Sequence, residues 1–172
     1  LVAATTTTQT IDLTSNVGQV FGAAGTAGVD TFEFTGAATF PLVANPILNF
    51  VPAFGGDKID VTEFLTSTPA ALNSFAANPG GATSVENDAT ILVDIALNQD
   101  LSTKSGLETA LAAGGEYANI DMANGSKALI LTTPSAGVDD LSLWYATADG
   151  AGAITVELIA VIDNVDEGTF VA

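Results

Sequence analysis

The sparse and one-sided charge of this chain limits what it can fold into. Only 13% of its side chains are charged, and twenty acids face three lysines without an arginine or a histidine. A soluble helical bundle needs glutamate and lysine over its outer faces. Hydrophobic residues make up 48% of the 172 residues, which is enough for a core. With alanine, threonine and glycine filling the remainder, we expect a mainly β fold that is rich in turns.

The net charge of −17 restricts the partners of the protein. It predicts no binding to nucleic acid, because no basic patch is available to neutralise phosphate. No segment approaches 18 consecutive apolar residues, so we expect no membrane insertion. Cations are therefore the natural small partners. The absence of cysteine removes disulfides and thiolate metal sites.

The residue types also argue against catalysis. Without histidine, cysteine or arginine, most designs for proton transfer and phosphate handling are closed to this chain. Two acids in a cleft, as in glycosidases or aspartic proteases, remain an alternative. A sugar-binding platform could use Trp144 or Tyr145 but not both, because neighbours in a strand point to opposite faces. We predict that the protein is not an enzyme.

The N-terminal part of the chain favours extended structure. Residues 4–16 are rich in β-branched side chains, which favours a strand. We divide the chain into an extended N-terminal strand or arm (1–20) and a single β-rich domain (21–172). Residues 31–34 and 89–97 are predicted strands. No period of 20 to 50 residues recurs, so an array of repeats is not expected.

The C-terminal half combines a helix with a meander. Residues 106–113 are predicted to be helical, with Ser105 as N-cap, Glu108 completing a capping box and Gly114 ending the helix. A second helical turn is predicted after Pro69. Asn124-Gly125 and the turn at 149–152 favour hairpins. The predicted fold is an antiparallel β-sandwich or partial β-roll with one or two short helices and a C-terminal meander.

One segment has the pattern of a calcium-binding turn. Residues 25–33, GTAGVDTFE, fit the nonapeptide G-G-x-G-x-D-x-U-x in all but its second glycine. Gly28 and Asp30 are therefore candidate metal-binding residues. The alternative is an ordinary turn with an Asx hydrogen bond, which glycine and aspartate also favour.

Three more aspartates are candidate metal ligands. Asp57 and Asp60 lie in GGDKID, and Asp149 lies in ADGAG. Calcium prefers such carboxylate and carbonyl oxygens. The alternatives are a turn capped by Asp60 and a hairpin turn at Asp149. Calcium is the predicted cofactor.

Three stretches, taken in order, resemble the C-terminal modules of type I secreted, RTX-related bacterial surface proteins. They are GVDTFEF, then ILNFVPAFGGDKIDVTEF, then LSLWYATADGAGAITVELIAVIDNVDEGTFVA. The resemblance covers residues 25–65 and 115–172, and Asn49 stands where the family carries an aspartate. It implies a bacterial protein located outside the cell or on its surface, with calcium bound at glycine-aspartate turns.

Composition and resemblance together indicate a structural role. The leading hypothesis is a non-enzymatic extracellular subunit of a self-assembling surface layer or matrix filament, stabilised by calcium. Its partner would be a second copy, joined by addition of the β-branched N-terminal strand to a neighbouring sheet. The alternative is a C-terminal module for type I secretion and calcium-dependent folding of a larger secreted enzyme or adhesin.

Overall fold

A computed structural model describes a large part of the chain. It covers residues 10–12, 21–22, 29–33, 45–48, 50–51, 56–62, 64–65, 72–75, 80–85, 89–93, 101–133, 140–163 and 165. The strands in these ranges are β1 (Thr10–Asp12), β2 (Phe21–Gly22), β3 (Thr31–Glu33), β4 (Asn45–Leu48), β5 (Lys58–Asp60), β6 (Leu72–Phe75), β7 (Thr83–Val85), β8 (Ala89–Val93), β9 (Ile120–Met122), β10 (Lys127–Thr132), β11 (Leu141–Ala148) and β12 (Ile154–Ile162). Helix α1 spans Lys104–Leu111. The predicted mainly β class is confirmed.

The strands form three sheets. A seven-stranded central sheet has the order β2-β4-β12-β11-β10-β8-β6. A three-stranded front sheet has the order β1-β3-β5, and a two-stranded back sheet pairs β7 with β9. The predicted meander is present, since β10, β11 and β12 pair antiparallel. The other pairings between described strands are parallel, so an antiparallel sandwich is not the arrangement.

The chain winds between layers. From β1 to β5 it alternates between the front and central sheets, and from β6 to β10 between the central and back sheets. Successive coils stack in register, as Thr10, Thr31 and Lys58 show in the front sheet. This winding agrees with the predicted partial β-roll. The stacked coils differ in length, which is consistent with the absence of a fixed period in the sequence.

Both faces of the central sheet are buried. The front face contributes to the Phe32 core, whose buried residues are Phe32, Ile47, Phe50, Phe64, Leu65, Leu129, Leu131, Leu141, Leu143, Ile159, Ala160, Ile162 and Val165. The back face contributes to the Trp144 core, whose buried residues are Val85, Leu101, Leu107, Ala110, Leu111, Tyr117, Ile120, Met122, Ala128, Ile130, Trp144, Ala146, Ala148 and Val156. Strands buried on both sides read as continuous apolar runs, which explains the sequences of β10 and β11.

Strand β11 divides its side chains between the two cores. Leu143 packs in the Phe32 core and Trp144 in the Trp144 core, as strand alternation requires. The register with the neighbouring strand β12 shifts between these two residues. Leu143 pairs with Ala160, whereas Trp144 pairs with Leu158. Ile159 is thus the extra residue of a β-bulge, which lets β12 change the face to which its alternate side chains point.

Helix α1 forms close to its predicted place with a different cap. Thr103 is the N-cap, and its side chain accepts a hydrogen bond from the Gly106 N–H at 3.1 Å. The prediction of Ser105 as N-cap is therefore wrong, since Ser105 lies within the helix. Gly114 follows the helix with a φ of 85°, a conformation that glycine adopts without strain. In the described part of the chain, no helix is long and apolar enough to cross a membrane.

Two local predictions fail because of the layered topology. Asn124-Gly125 does not close a hairpin, because β9 belongs to the back sheet and β10 to the central sheet. Gly125 has the expected positive φ of 77°, but its turn carries the chain between layers. The predicted helical turn after Pro69 is also wrong where it is described, since residues 72–75 are strand β6.

The N-terminal arm is described only at residues 10–12. These residues are strand β1, and they pair with β3 of the same chain. The remainder of the proposed strand-donating segment lies outside the described residues.

Candidate functional site: a carboxylate clamp between stacked strands

A buried carboxylate joins two segments of the front layer. Asp57 Oδ1 accepts a hydrogen bond from the Asp30 N–H at 2.9 Å, and Asp57 Oδ2 accepts one from the Val51 N–H at 3.0 Å. The side chain of Asp57 is almost completely buried, at 8% exposure. We call this arrangement the Asp57 clamp. Hydrogen bonds to an ionised acceptor are stronger than neutral ones, so the clamp fixes both segments firmly.

The clamp follows from how the chain enters its strands. Asp30 directly precedes β3 and Asp57 directly precedes β5, so the two residues are aligned in neighbouring coils. Backbone bonds reinforce the alignment: the Lys58 N–H donates to the Asp30 carbonyl at 2.8 Å. The Asp57 N–H donates to the Val51 carbonyl at 3.0 Å and closes the intervening loop. The carboxylate of Asp57, the aspartate of the sequence GGD, thus lies beside the backbone of the preceding coil.

Asp30 is more deeply buried than Asp57. Its exposure is 1%, and it lies two residues before Phe32, a member of the Phe32 core. There the rings of Phe32 and Phe50 pack at a centroid distance of 6.1 Å. The structure therefore brings together Asp30 and Asp57, two of the predicted site residues. The third predicted site residue of this region, Gly28, lies outside the described residues.

Asp60 belongs to a row of acids at the other end of the front strands. The register aligns Asp12, Glu33 and Asp60 across β1, β3 and β5. Aligned residues of parallel strands point to the same face, about 4.8 Å apart. Asp60 Oδ1 accepts a hydrogen bond from the Thr62 N–H at 3.0 Å, which is the predicted turn cap. Sequence reasoning selected Asp60 but missed the two acids beside it.

Asp149 lies apart from this group, in the turn between β11 and β12. Its Oδ1 accepts hydrogen bonds from the N–H groups of Ala151 at 2.8 Å and Ala153 at 3.0 Å. The Gly152 φ of 80° completes the hairpin that the sequence predicted here. The side chain of Asp149 therefore stabilises the turn by accepting hydrogen bonds from its backbone.

The metal prediction remains a prediction. Among the described residues, no group of three or more acidic, histidine or cysteine side chains is placed to hold a metal ion. Both oxygens of Asp57 already accept backbone hydrogen bonds. A cation at this point would have to share them, or use oxygen atoms from neighbouring segments.

A second acidic cluster secures the edge of β12. The Val156 N–H donates to Glu108 Oε1 at 3.1 Å. Lys104 lies 3.8 Å from the same carboxylate and also bonds Glu157, and this second contact is what raises the pKa of Lys104. The capping-box prediction for Glu108 is thus wrong. Its side chain instead accepts a hydrogen bond from the backbone of β12, and no pattern among its sequence neighbours indicates this contact.

Asp140 and Asp163 form a carboxyl pair where β11 begins and β12 ends. The two residues flank the aligned pair Leu141 and Ile162. A side-chain hydrogen bond to Asp140 is the main cause that raises the pKa of Asp163, followed by burial and by repulsion from the Asp140 charge. The backbone N–H of Asp163 donates to the Ile47 carbonyl at 2.8 Å, which ties this pair to β4.

The acid pair predicts a gain in stability on mild acidification. Because the pKa of Asp163 is raised in the folded protein, ionisation at neutral pH destabilises the fold. This penalty is complete above the folded pKa and disappears as the pH falls through it. Asp163→Asn should therefore melt at a higher temperature than the parent protein at pH 7, and the difference should shrink at lower pH. A calorimetric series from pH 7 to pH 4 measures it; a constant difference would contradict the assignment.

No protein-family model, curated protein or solved structure matches the chain. The functional argument therefore depends on the contacts described above.

Proposed function

We propose that this chain is a non-enzymatic structural protein that assembles with copies of itself into an extracellular surface layer or matrix filament. One observation carries the proposal. The carboxylates of Asp57, Asp60, Glu108 and Asp149 all accept hydrogen bonds from backbone N–H groups of the chain itself. Side chains used in this way stabilise a scaffold, whereas catalytic or ligand-binding groups must keep atoms available for a substrate.

The layered architecture supports the same role. The central sheet has packed cores on both faces, one against the front sheet and one against the back sheet with α1. Each stacked coil is stabilised by contacts with its neighbours, as in repeat proteins. A bacterial cell-surface location comes from the resemblance to type I secreted surface proteins and is part of the proposal.

Electron microscopy of the purified protein tests the proposal directly. We expect ordered filaments or sheets when the protein is concentrated in physiological salt with calcium. Static light scattering of the same samples should show a sharp rise above a critical concentration. A protein that stays monomeric over a wide range of concentration, salt and calcium would contradict the proposed function.

Calcium is proposed as the stabilising cofactor. The net charge is −17, the register aligns Asp12, Glu33 and Asp60 on neighbouring strands, and a bound divalent ion would relieve the repulsion between such acids. At about 100 times the dissociation constant, calcium adds roughly 2.7 kcal/mol per site if the unfolded chain does not bind it.

We therefore expect EGTA to lower the melting temperature, with recovery on adding calcium and poor recovery with magnesium. Differential scanning calorimetry measures the effect, with potassium chloride at matched ionic strength as the control. A melting temperature that is unchanged in EGTA would contradict a calcium role.

A second candidate function is a secretion and calcium-dependent folding module of a larger exoprotein. The parallel stacking of β1, β3 and β5 favours it, because β-rolls stack their coils in the same way. The mass of the native polypeptide discriminates between the two. A mature chain near 17.2 kDa supports the structural subunit, and a much longer one supports the module.

A further inference from the structure

The two ends of the central sheet are open in the described structure. Strand β2 stands at one end and pairs only with β4 among the described strands. Strand β6 stands at the other end and, within the same residues, pairs only with β8. An edge strand presents unpaired N–H and C=O groups, which another strand can complete.

The two end strands run in the same direction. β2 is parallel to β4, and β4 to β12. β12 is antiparallel to β11, and β11 is antiparallel to β10, so β12 and β10 run in the same direction. β10, β8 and β6 are then parallel. A second copy related by translation could therefore place its β6 beside β2 as a parallel pair, which repeats the pairing already present at both ends.

The sequences around the end strands lack charge and proline, two of the features that commonly prevent such pairing. Natural edge strands are protected by charges, prolines or covering elements. Residues 17–29 around β2 and residues 70–78 around β6 contain neither a charged residue nor a proline.

The other edges are protected. β5 carries Lys58 and Asp60, β1 carries Asp12 and β9 carries Asp121. β7 is followed directly by Glu86. Where β12 does not pair with β4, Glu108 accepts a hydrogen bond from the Val156 N–H. The described end strands of the central sheet, β2 and β6, carry no such charge.

We propose that copies of this chain join head to tail, with β6 of one copy adding to β2 of the next and continuing the central sheet from subunit to subunit. The inference rests on the proposed function and specifies its interface. Because the two joined surfaces are different, the contact is heterologous, and copies related by translation along the sheet form a linear polymer instead of a closed ring. A two-fold dimer would require β2 with β2 or β6 with β6, both antiparallel.

The net charge of −17 on each copy opposes this contact at long range. Exposed charges more than about 10 Å apart are screened at 0.1 M salt. Assembly should therefore strengthen between low and physiological ionic strength, whereas a contact made by ion pairs would weaken.

Two blocked variants test the interface. Gly22→Lys places a charge in β2, and Ser74→Lys places one in β6. Thr62→Lys, at an exposed position after β5, is the matched control for the added charge. Circular dichroism and melting temperature first establish that each variant folds. We expect each blocked variant to need at least roughly tenfold more protein to assemble, a change worth about 1.4 kcal/mol per contact, while the control assembles like the parent.

Mixing the two blocked variants gives the decisive result. Each retains one open end, so an equimolar mixture should form a dimer and nothing longer, as measured by analytical ultracentrifugation. Long polymers in the mixture, or normal assembly of both variants alone, would overturn the inference while leaving the proposed function intact. Failure of the parent protein to assemble at all would overturn both.

Cysteine cross-linking covers the case in which a lysine variant does not fold. The chain has no cysteine, so introduced pairs react without background. Gly22→Cys combined with Asn73→Cys or Ser74→Cys should give a ladder of disulfide-linked oligomers after oxidation of assembled protein. Gly22→Cys alone should give no ladder. Oxidised polymers that dissociate into monomers in denaturant, in both double variants, would overturn the head-to-tail contact.

Discussion

Replacing Trp144 with alanine should lower the free energy of unfolding by about 3 to 5 kcal/mol. The indole is 1% exposed and lies in the Trp144 core, between the central sheet and α1. Its Nε1 donates to Thr132 Oγ1 at 2.9 Å, and that hydroxyl donates to the Leu101 carbonyl at 3.3 Å. Truncation therefore removes a large apolar volume and one end of a buried hydrogen-bond chain, and a cavity remains.

Urea unfolding followed by circular dichroism measures this loss. Trp144 is the single tryptophan, so its fluorescence reports unfolding in the parent protein but not in the variant. Trp144→Phe keeps most of the volume and should cost clearly less. Tyr145→Ala, on the other face of β11, is the position control, because Tyr145 is only partly buried. A loss below about 1 kcal/mol for Trp144→Ala would show that the back layer does not pack as described.

Replacing Asp57 with alanine should cost roughly 3 to 6 kcal/mol, since two charge-assisted hydrogen bonds disappear together. The Asp30 and Val51 N–H groups would stay in place without their acceptor. The loss of an acceptor is expensive at Asp30, which is 1% exposed, and costs less at Val51, which is 45% exposed, so that water can reach it. We expect the front layer to loosen first, with faster hydrogen exchange in β3 and β5.

A comparison in calcium and in EGTA separates two roles of Asp57. If it holds the backbone, the stability lost in Asp57→Ala is the same in both solutions. If it ligates calcium, most of the loss disappears in EGTA, because the parent protein is then without the ion as well. Asp60→Ala is the matched control: its turn cap is near the surface and should contribute less than about 1 kcal/mol. An Asp57→Ala protein as stable as this control would contradict the clamp.

The residue patterns of short segments predicted the elements whose contacts lie mostly between residues close together in the sequence. The alternation of residues 31–33 gave β3, whose central Phe32 is completely buried. The sequence from 141 to 162 predicted two strands and the turn at Asp149, and all three are present. These elements form where neighbouring residues make most of the contacts, and neighbouring residues are what a single sequence displays.

The parallel pairing could not be predicted in the same way. Aligned residues in the front sheet belong to coils of unequal length, so no period in the sequence reveals them. Asn124-Gly125 has the same local chemistry in a hairpin as in a turn between layers. Only the packing of β9 against the Trp144 core decides between the two.

The candidate site was predicted in part. Asp30 and Asp57 were selected as metal ligands, and the structure places them in contact, but through a backbone N–H group. Whether a metal ion or a backbone N–H group lies beside a carboxylate depends on tertiary structure. Glu108 shows the same limit, because its partner Val156 is 48 residues away.

The position of β12 determines when the central sheet can be completed. β4, from the N-terminal half, pairs with β12, which is the last strand described along the chain. β2 pairs in turn with β4. A chain that emerges N-terminus first therefore exposes its early strands until the β11–β12 hairpin has followed. Such distant pairings are formed late and slowly, because loop closure must precede them. The part of the central sheet formed by β2 and β4 therefore joins the rest only once the C-terminal hairpin is present.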